Sequence, residues 1–142
     1  MPETDQPRSG SHLLVLGLIL GLLGVMVLLA LVAEPDPRGF GTHEQLGLWP
    51  CRMKQWTGLP CPGCGVTTSV THAVQGRPLE SLRVQPLGLL VAVVLPPLAV
   101  WALVVHRRGG DLYARLSEAS FPWIRLSLVA AAVSWVYKLI AG

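Results

Sequence analysis

Charge is scarce in this sequence. Lys, Arg, Asp and Glu make up 13% of its 142 residues, against roughly a quarter in an ordinary soluble domain. Apolar residues make up 51% and come in long blocks rather than in short periodic elements, which disfavours a water-facing core and a soluble enzyme and points to lipid as the solvent. The net charge of +3 is scattered over the polar segments. No dense basic run or aromatic–basic interleaving occurs, so the positive balance is membrane-flanking and not a nucleic-acid footprint. Cysteine is also scarce: three residues, Cys51, Cys61 and Cys64, an odd number that excludes a fully closed internal disulfide framework. No Ser/His/Asp set, no pair of buried carboxylates and no phosphate-cradling glycine loop can be picked out. The spans carry no deep ionisable group of the kind that ion and proton pathways need, which weakens the hydrolase and transporter hypotheses.

What is present is a set of greasy blocks. Residues 1–12 are polar and rich in Pro, Ser and Gly, a composition that predicts a disordered tail. Residues 13–33 run for 21 positions without a charge, enough to cross a hydrocarbon core of about 30 Å at about 1.5 Å per residue. A cleaved signal peptide is the competing reading, but this run is long for one and Leu31 stands where a cleavage site wants a small residue. Gly17, Gly21 and Gly24 fall on nearby faces of this helix and offer a close-approach surface to another membrane protein or a second copy, though glycine is also common in membrane helices. A second uncharged run, residues 87–105, contains Pro96 and Pro97, which predict a kinked span, and is followed by Arg107 and Arg108. Residues 106–123 form a connector in which Asp111 caps one amphipathic turn. Residues 124–140 supply a third span, with Arg125 and Lys138 near its ends and Trp123, Trp135 and Tyr137 at interfacial depth. The expected fold is therefore an all-α integral membrane protein with three transmembrane helices in the cell inner membrane, the lipid bilayer its first partner.

Between spans one and two lies the polar stretch 34–86, 53 residues with seven prolines and all three cysteines. Such breaker density forbids one long helix. Two short interfacial helices fit, 66–75 closed by Gly76 and 79–84 opened by Pro78. Arg107 and Arg108 favour the cytoplasm for their loop and so place the cysteine stretch outside, whereas Arg38, Arg52, Lys54, Arg77 and Arg83 pull the other way.

The chemistry of this stretch rests on Cys61-Pro62-Gly63-Cys64. In a metal reading, Cys51, Cys61 and Cys64 give thiolates to zinc, with His72, His43 or a water as fourth ligand. A helix from Cys64 to His72 separates the two Cα atoms by about 12 Å, near the limit of their combined reach. In a redox reading, Cys61 and Cys64 are a dithiol or disulfide at a helix start, where unpaired N–H groups favour a thiolate, but no strand–helix–strand pattern accompanies them. In the plainest reading the cysteines, prolines and glycines merely fold the loop, Thr67, Thr68 and Thr71 being cap and surface hydroxyls and His72 a polar residue on the exposed side of a short helix.

The run Thr57-Gly58-Leu59-Pro60-Cys61-Pro62-Gly63-Cys64-Gly65-Val66-Thr67, with Cys51 upstream and Gly76 and Pro86 downstream, resembles a family of small bacterial membrane proteins known as domain of unknown function 2752. Cys51, Cys61, Pro62, Cys64, Gly65, Thr67, Gly76 and Pro86 match its pattern over about residues 48 to 100. Thr68 stands where the family has Arg, and Gln85 where it has Asn. The resemblance implies architecture rather than an activity. The expected function is a small membrane accessory or interaction subunit with a structural cysteine cap, zinc its one candidate cofactor. The alternative is a membrane thiol–disulfide or metal-handling enzyme using Cys61 and Cys64.

Overall fold

The computed structural model describes the backbone of residues 10–141. Among the described residues the chain is all helix and turn: α1 (Gly10–Val32), a 3-10 turn (Thr42–Leu46), α2 (Arg52–Thr57), α3 (Val66–Val74), α4 (Pro78–Val84), α5 (Pro86–Arg107) and α6 (Leu112–Ala141). Three helices are long and apolar enough to cross a membrane, Gly10–Val32, Pro86–Arg107 and Pro122–Ile140 within α6. Their outer faces are covered with exposed leucine, valine and isoleucine, Leu14, Leu31, Val93 and Ile140 among them, as expected where the solvent is lipid.

α1 and α5 pack as an antiparallel pair. Leu16 and Ile19 of α1 bury against Leu95, Ala99, Ala102 and Val105 of α5, together with Leu112 at the start of α6. The two alanines keep the contact face small, which lets membrane helices approach closely. At one end of this pair, His12 Nε2 lies 2.9 Å from His106 Nδ1. His12 Nδ1 accepts the Leu112 backbone N–H at 3.0 Å, giving a partner to a donor that the first turn of a helix leaves without one. Asp111 does the same as sequence predicts, its Oδ1 accepting the N–H groups of Tyr113 and Ala114.

At the opposite end, residues 33–85 fold into a cap. Its satellite core joins Leu29 and Ala33 to Val70 of α3. Gln75 Nε2 donates to the Ala33 carbonyl at 2.9 Å and Gln45 Nε2 to the Glu34 carbonyl at 2.8 Å, so cap side chains satisfy carbonyls at the free end of α1. α3 crosses α5 at Gly88, where an added Cβ would meet Ser69 Cβ at 2.5 Å and the Val66 carbonyl at 2.8 Å; only glycine permits that approach.

Several boundaries differ from expectation. The tail expected over 1–12 lies outside the described residues through position 9, and residues 10–12 are already helical. The cap holds a 3-10 turn and α2 in addition to the two short helices expected, each closed by a left-handed glycine, Gly47 at φ 76° and Gly58 at φ 73°. The short helices end at Val74 rather than 75 and begin at Pro78 rather than 79, and the second span runs 86–107 rather than 87–105. The connector expected over 106–123 shrinks to a tight turn at 108–111, because the Asp111 cap starts a helix that runs straight on into the third span.

α6 buries few side chains, Ser134 and Leu112 being the main ones. Its C-terminal end is held to the cap by polar bonds instead. Trp135 Nε1–H donates to the Pro60 carbonyl (3.0 Å), Tyr137 O–H to the Arg83 carbonyl (2.9 Å) and Lys138 Nζ to the Val84 carbonyl (3.3 Å), while Ser134 Oγ accepts the Leu87 N–H (3.1 Å). The logic lies in Pro86: it allows no continuous helix, sets Gln85 extended at φ −164° and ψ 108°, and leaves α4 with orphan carbonyls and α5 with orphan donors. α6 supplies the missing partners.

Candidate metal centre

The cap brings its three sulfurs to one point. Cys51 opens α2 from its N-cap position, Cys61 and Cys64 flank a turn closed by the Cys64 N–H donating to the Cys61 carbonyl at 2.9 Å, and Gly65 then starts α3. The ligand atoms of Cys51, Cys61 and Cys64 all lie within 4.8 Å of one another. Cys61 Sγ and Cys64 Sγ are 3.4 Å apart and all three residues are free thiols. Sulfurs on a tetrahedral ion at about 2.3 Å would be separated by about 3.8 Å, so the spacing suits a shared thiophilic ion. Three close cysteines of this kind can hold a metal ion.

Two glycine constraints create that geometry. Gly65 sits at φ +88°, and a Cβ there would lie 2.7 Å from the Gly39 carbonyl oxygen. Glycine is thus needed both for the left-handed turn and for the close passage of the chain segment beside Gly39. The prolines Pro60 and Pro62 bracket Cys61, and both carbonyls are anchored: Pro60 to Trp135, and Pro62 to Gln85 Nε2 at 3.3 Å. Gln85 is fully buried, and its Oε1 has no partner.

The electrostatics separate the thiols. The Lys54 backbone N–H donates to Cys51, the largest influence on it, and with the neighbouring thiols draws Cys51 down to about 7. Burial pushes the Cys64 thiol up to about 12, with Cys51 and Cys61 adding to the shift. A cavity of about 270 Å³ opens beside the sulfurs and is lined by Cys51, Cys64, Lys54, Arg38 and His43 among others. Arg38 is engaged by Asp36 at 2.7 Å and Glu44 at 3.2 Å, whereas Lys54 lies over the Phe40 ring at 3.1 Å from its centroid. Residues 51–101 match the model of a family described as a protein of unknown function, DUF2752. The match is confined to that segment. It opens on Cys51 and closes on Trp101 within α5, so it takes in all three sulfurs, α3, α4 and most of the second span. No curated protein and no solved structure matches the chain.

Neither histidine weighed as a fourth ligand joins the sulfur cluster. His72 faces the other side of the cap: its Nδ1 lies 3.1 Å from Glu80 Oε2, out of line for a hydrogen bond, and burial lowers its basicity. His43 lines the cavity, but its Nε2 lies 3.2 Å from the Trp49 carbonyl. Of the other positions within the matched segment, Gly76 closes α3 at φ +79°, Thr67 gives its carbonyl to the Thr71 hydroxyl at 2.9 Å, and Pro86 divides α4 from α5.

Several supporting residues had no sequence signal. Thr68 and Thr71, expected at the surface, are fully buried; Thr68 Oγ1 accepts the Thr42 hydroxyl at 2.8 Å, and Thr42 in turn accepts the Asp36 N–H. Ser69 Oγ lies 2.7 Å from the Gln85 carbonyl and 2.8 Å from Ser81 Oγ. These hydroxyls sit where α3 meets a polar chain, a fact visible only once the cap is folded. Lys138 and Trp135 were legible as interfacial anchors, but not as clamps on a loop so far away in sequence.

Proposed function

We propose that this chain is a small accessory or interaction subunit of the cell inner membrane whose cysteine cap is closed by a structural zinc ion. The observation that carries the reading is the convergence of the Cys51, Cys61 and Cys64 sulfurs within 4.8 Å. The cap is tied to all three long helices, so an ion there would fix a rigid surface at the membrane edge. Zinc suits the donor set: three thiolates, no redox requirement and a turn of Cys-x-x-Cys spacing. The role as an interaction subunit draws on α1, where Gly17, Gly21 and Gly24 are exposed with nothing packed against them, a surface suited to close approach by a neighbouring membrane helix.

Metal analysis of the full chain purified in detergent tests the zinc reading. The expected result is about one zinc per chain, lost in Cys51→Ser and in Cys64→Ser. No bound ion, both as isolated and after reconstitution under reducing conditions, would overturn it. For the interaction role, Gly21→Leu should abolish a cross-link formed in membranes from the exposed α1 face; an unchanged cross-link pattern would count against that face.

A second reading is favoured by the 3.4 Å approach of Cys61 and Cys64. In it the pair is oxidised to a disulfide while an external disulfide is reduced to two thiols, the two protons passing with the two electrons. Unchanged thiol–disulfide exchange in vesicles carrying Cys61→Ser would dispose of this alternative.

A further inference from the structure

The helix that Cys51 opens buries nothing of its own. α2 spans six residues, and among the described residues none of its side chains is buried. Isolated helices shorter than about 12 residues are marginal in water, so a helix this short holds its shape by resting side chains on a neighbour. Its large apolar surroundings face outward instead: Leu48, Trp49, Trp56 and Leu59 are each more than half exposed, Trp56 at 80%. Apolar groups gathered on a surface in this way mark a contact with something outside the chain.

The clamp from α6 fixes the depth of that surface. Trp135 Nε1–H donates to the Pro60 carbonyl, and Ser134 beside it accepts the N–H of Leu87 in the first turn of α5. Trp135 stands five residues before the end of the apolar helix Pro122–Ile140, about 7.5 Å inside it at about 1.5 Å per residue. Leu59 and Pro60 are thus level with the ends of two spans and not beyond them, and Trp56 lies within about 11 Å of Leu59 along the chain. The headgroup layer on each side of the hydrocarbon is about 5–8 Å thick, so this is its depth. Tryptophan is a side chain that layer favours, its ring apolar and its N–H polar. α2 adds Arg52 and Lys54 and no acidic side chain, the sign that suits lipid phosphates.

We propose that the segment from α2 to Leu59 is a membrane-surface anchor, with Trp56 and Leu59 seated among the phospholipid headgroups of the bilayer that the three spans cross, and that this seating holds Cys51, the N-cap of α2, beside the Cys61–Cys64 turn. The lipid supplies the packing face that the cap lacks. The inference rests on the membrane placement of the spans and needs no metal at the cysteines.

The test uses the full chain, metal-free and reduced, in phospholipid nanodiscs, which leave both membrane faces open to reagents. Brominated lipids quench tryptophans in the bilayer, acrylamide quenches those in water, and the emission lost in a Trp→Phe variant belongs to the residue replaced. The emission lost in Trp56→Phe should be quenched by lipid brominated near the headgroup end of its acyl chain and protected from acrylamide. Trypsin should cut slowly after Arg52 and Lys54, and about tenfold faster once Trp56→Ser and Leu59→Ser together remove the seated apolar surface. Dibromobimane, which bridges thiols only a few ångströms apart, should join Cys51 to Cys64 in Cys61→Ser, and adding the two serines at 56 and 59 should lower the yield of that bridge. Trp56 emission reached by acrylamide and untouched by brominated lipid would overturn the anchor and leave a protein partner or water on that face. Trypsin cutting and bimane bridging both unchanged by the serines would overturn it too. Trp101, exposed on α5, is the reference: if brominated lipid fails to quench the emission lost in Trp101→Phe, the spans lie outside lipid, and the membrane placement falls together with this inference.

Discussion

Replacing Gly65 by alanine should cost more than any other single-methyl addition in the cap, and the structure says how much. The residue sits at φ +88°, where a side chain costs about 1–2 kcal/mol. The new Cβ would also stand 2.7 Å from the Gly39 carbonyl oxygen, a backbone atom that cannot swing aside; forcing a methyl into such a site costs a further 1–3 kcal/mol, about 2–5 kcal/mol in all. Gly58 is the internal control. It is left-handed too, at φ +73°, but nothing lies within 4 Å of its Cβ position, so Gly58→Ala should lose only the first contribution, about 1–2 kcal/mol. Unfolding of both variants in detergent measures the difference. Because Gly65 follows Cys64 directly, its variant should also bind zinc about 10–100-fold more weakly, as displaced supports of metal ligands do, while Gly58→Ala binds normally. Equal stability losses in the two variants, or undiminished zinc affinity in Gly65→Ala, would refute the claim that the pass beside Gly39 sets the cysteine geometry.

Removing a sulfur is harsher: Cys51→Ser should lower zinc affinity more than about 100-fold, measured by competition with a chromophoric chelator. In metal-free reduced protein, Cys51, drawn down to about 7, gains thiolate as pH rises through neutrality, whereas Cys64, near 12, stays protonated. An impermeant alkylating reagent at pH 7 should therefore modify Cys51 well before Cys64, and peptide mass spectrometry gives the order. Trp135→Phe and Tyr137→Phe each strip one hydrogen bond from the cap and should each cost about 0.5–1.5 kcal/mol. Protease nicking of the 60–84 region should rise in parallel, and unchanged nicking would mean that α6 does not hold the cap.

The three spans were legible because lipid imposes a one-dimensional rule: about twenty apolar residues in a row have few other uses. The cysteine cap obeys no such rule. Its 3-10 turn and α2 are too short to show periodicity and are stopped by glycines at positive φ, which the sequence shows as mere loop composition. The start of α6 was hidden for the opposite reason: Asp111 was recognisable as a cap, but the polar residues after it concealed that the turn it starts runs into the span. Cys61 and Cys64 were bound to lie close by spacing alone, whereas the arrival of Cys51 beside them depends on α2 folding back, which spacing cannot reveal. His72 illustrates a limit of helical arithmetic. The rise from Cys64 barely allowed a shared ion, but the residue that decides its direction is Glu80 on the next helix, across a turn at Gly76. Buried hydroxyls such as Ser69 and Thr68 are chosen by neighbours distant in sequence, so their own surroundings in the chain carry no mark of the role.

The clamp between α6 and the cap also sets an order of events in biogenesis. When Pro60 leaves the ribosome, the indole that will hold its carbonyl is still 75 residues from being made, and the partners of Arg83 and Val84 are 54 residues away. The sulfur-bearing knot must therefore wait, with several polar groups unattended at the membrane edge, until the third helix has threaded the bilayer. A chain lacking that helix leaves the Pro60, Arg83 and Val84 carbonyls without these donors, so the loop that carries the thiols loses its outer clamp.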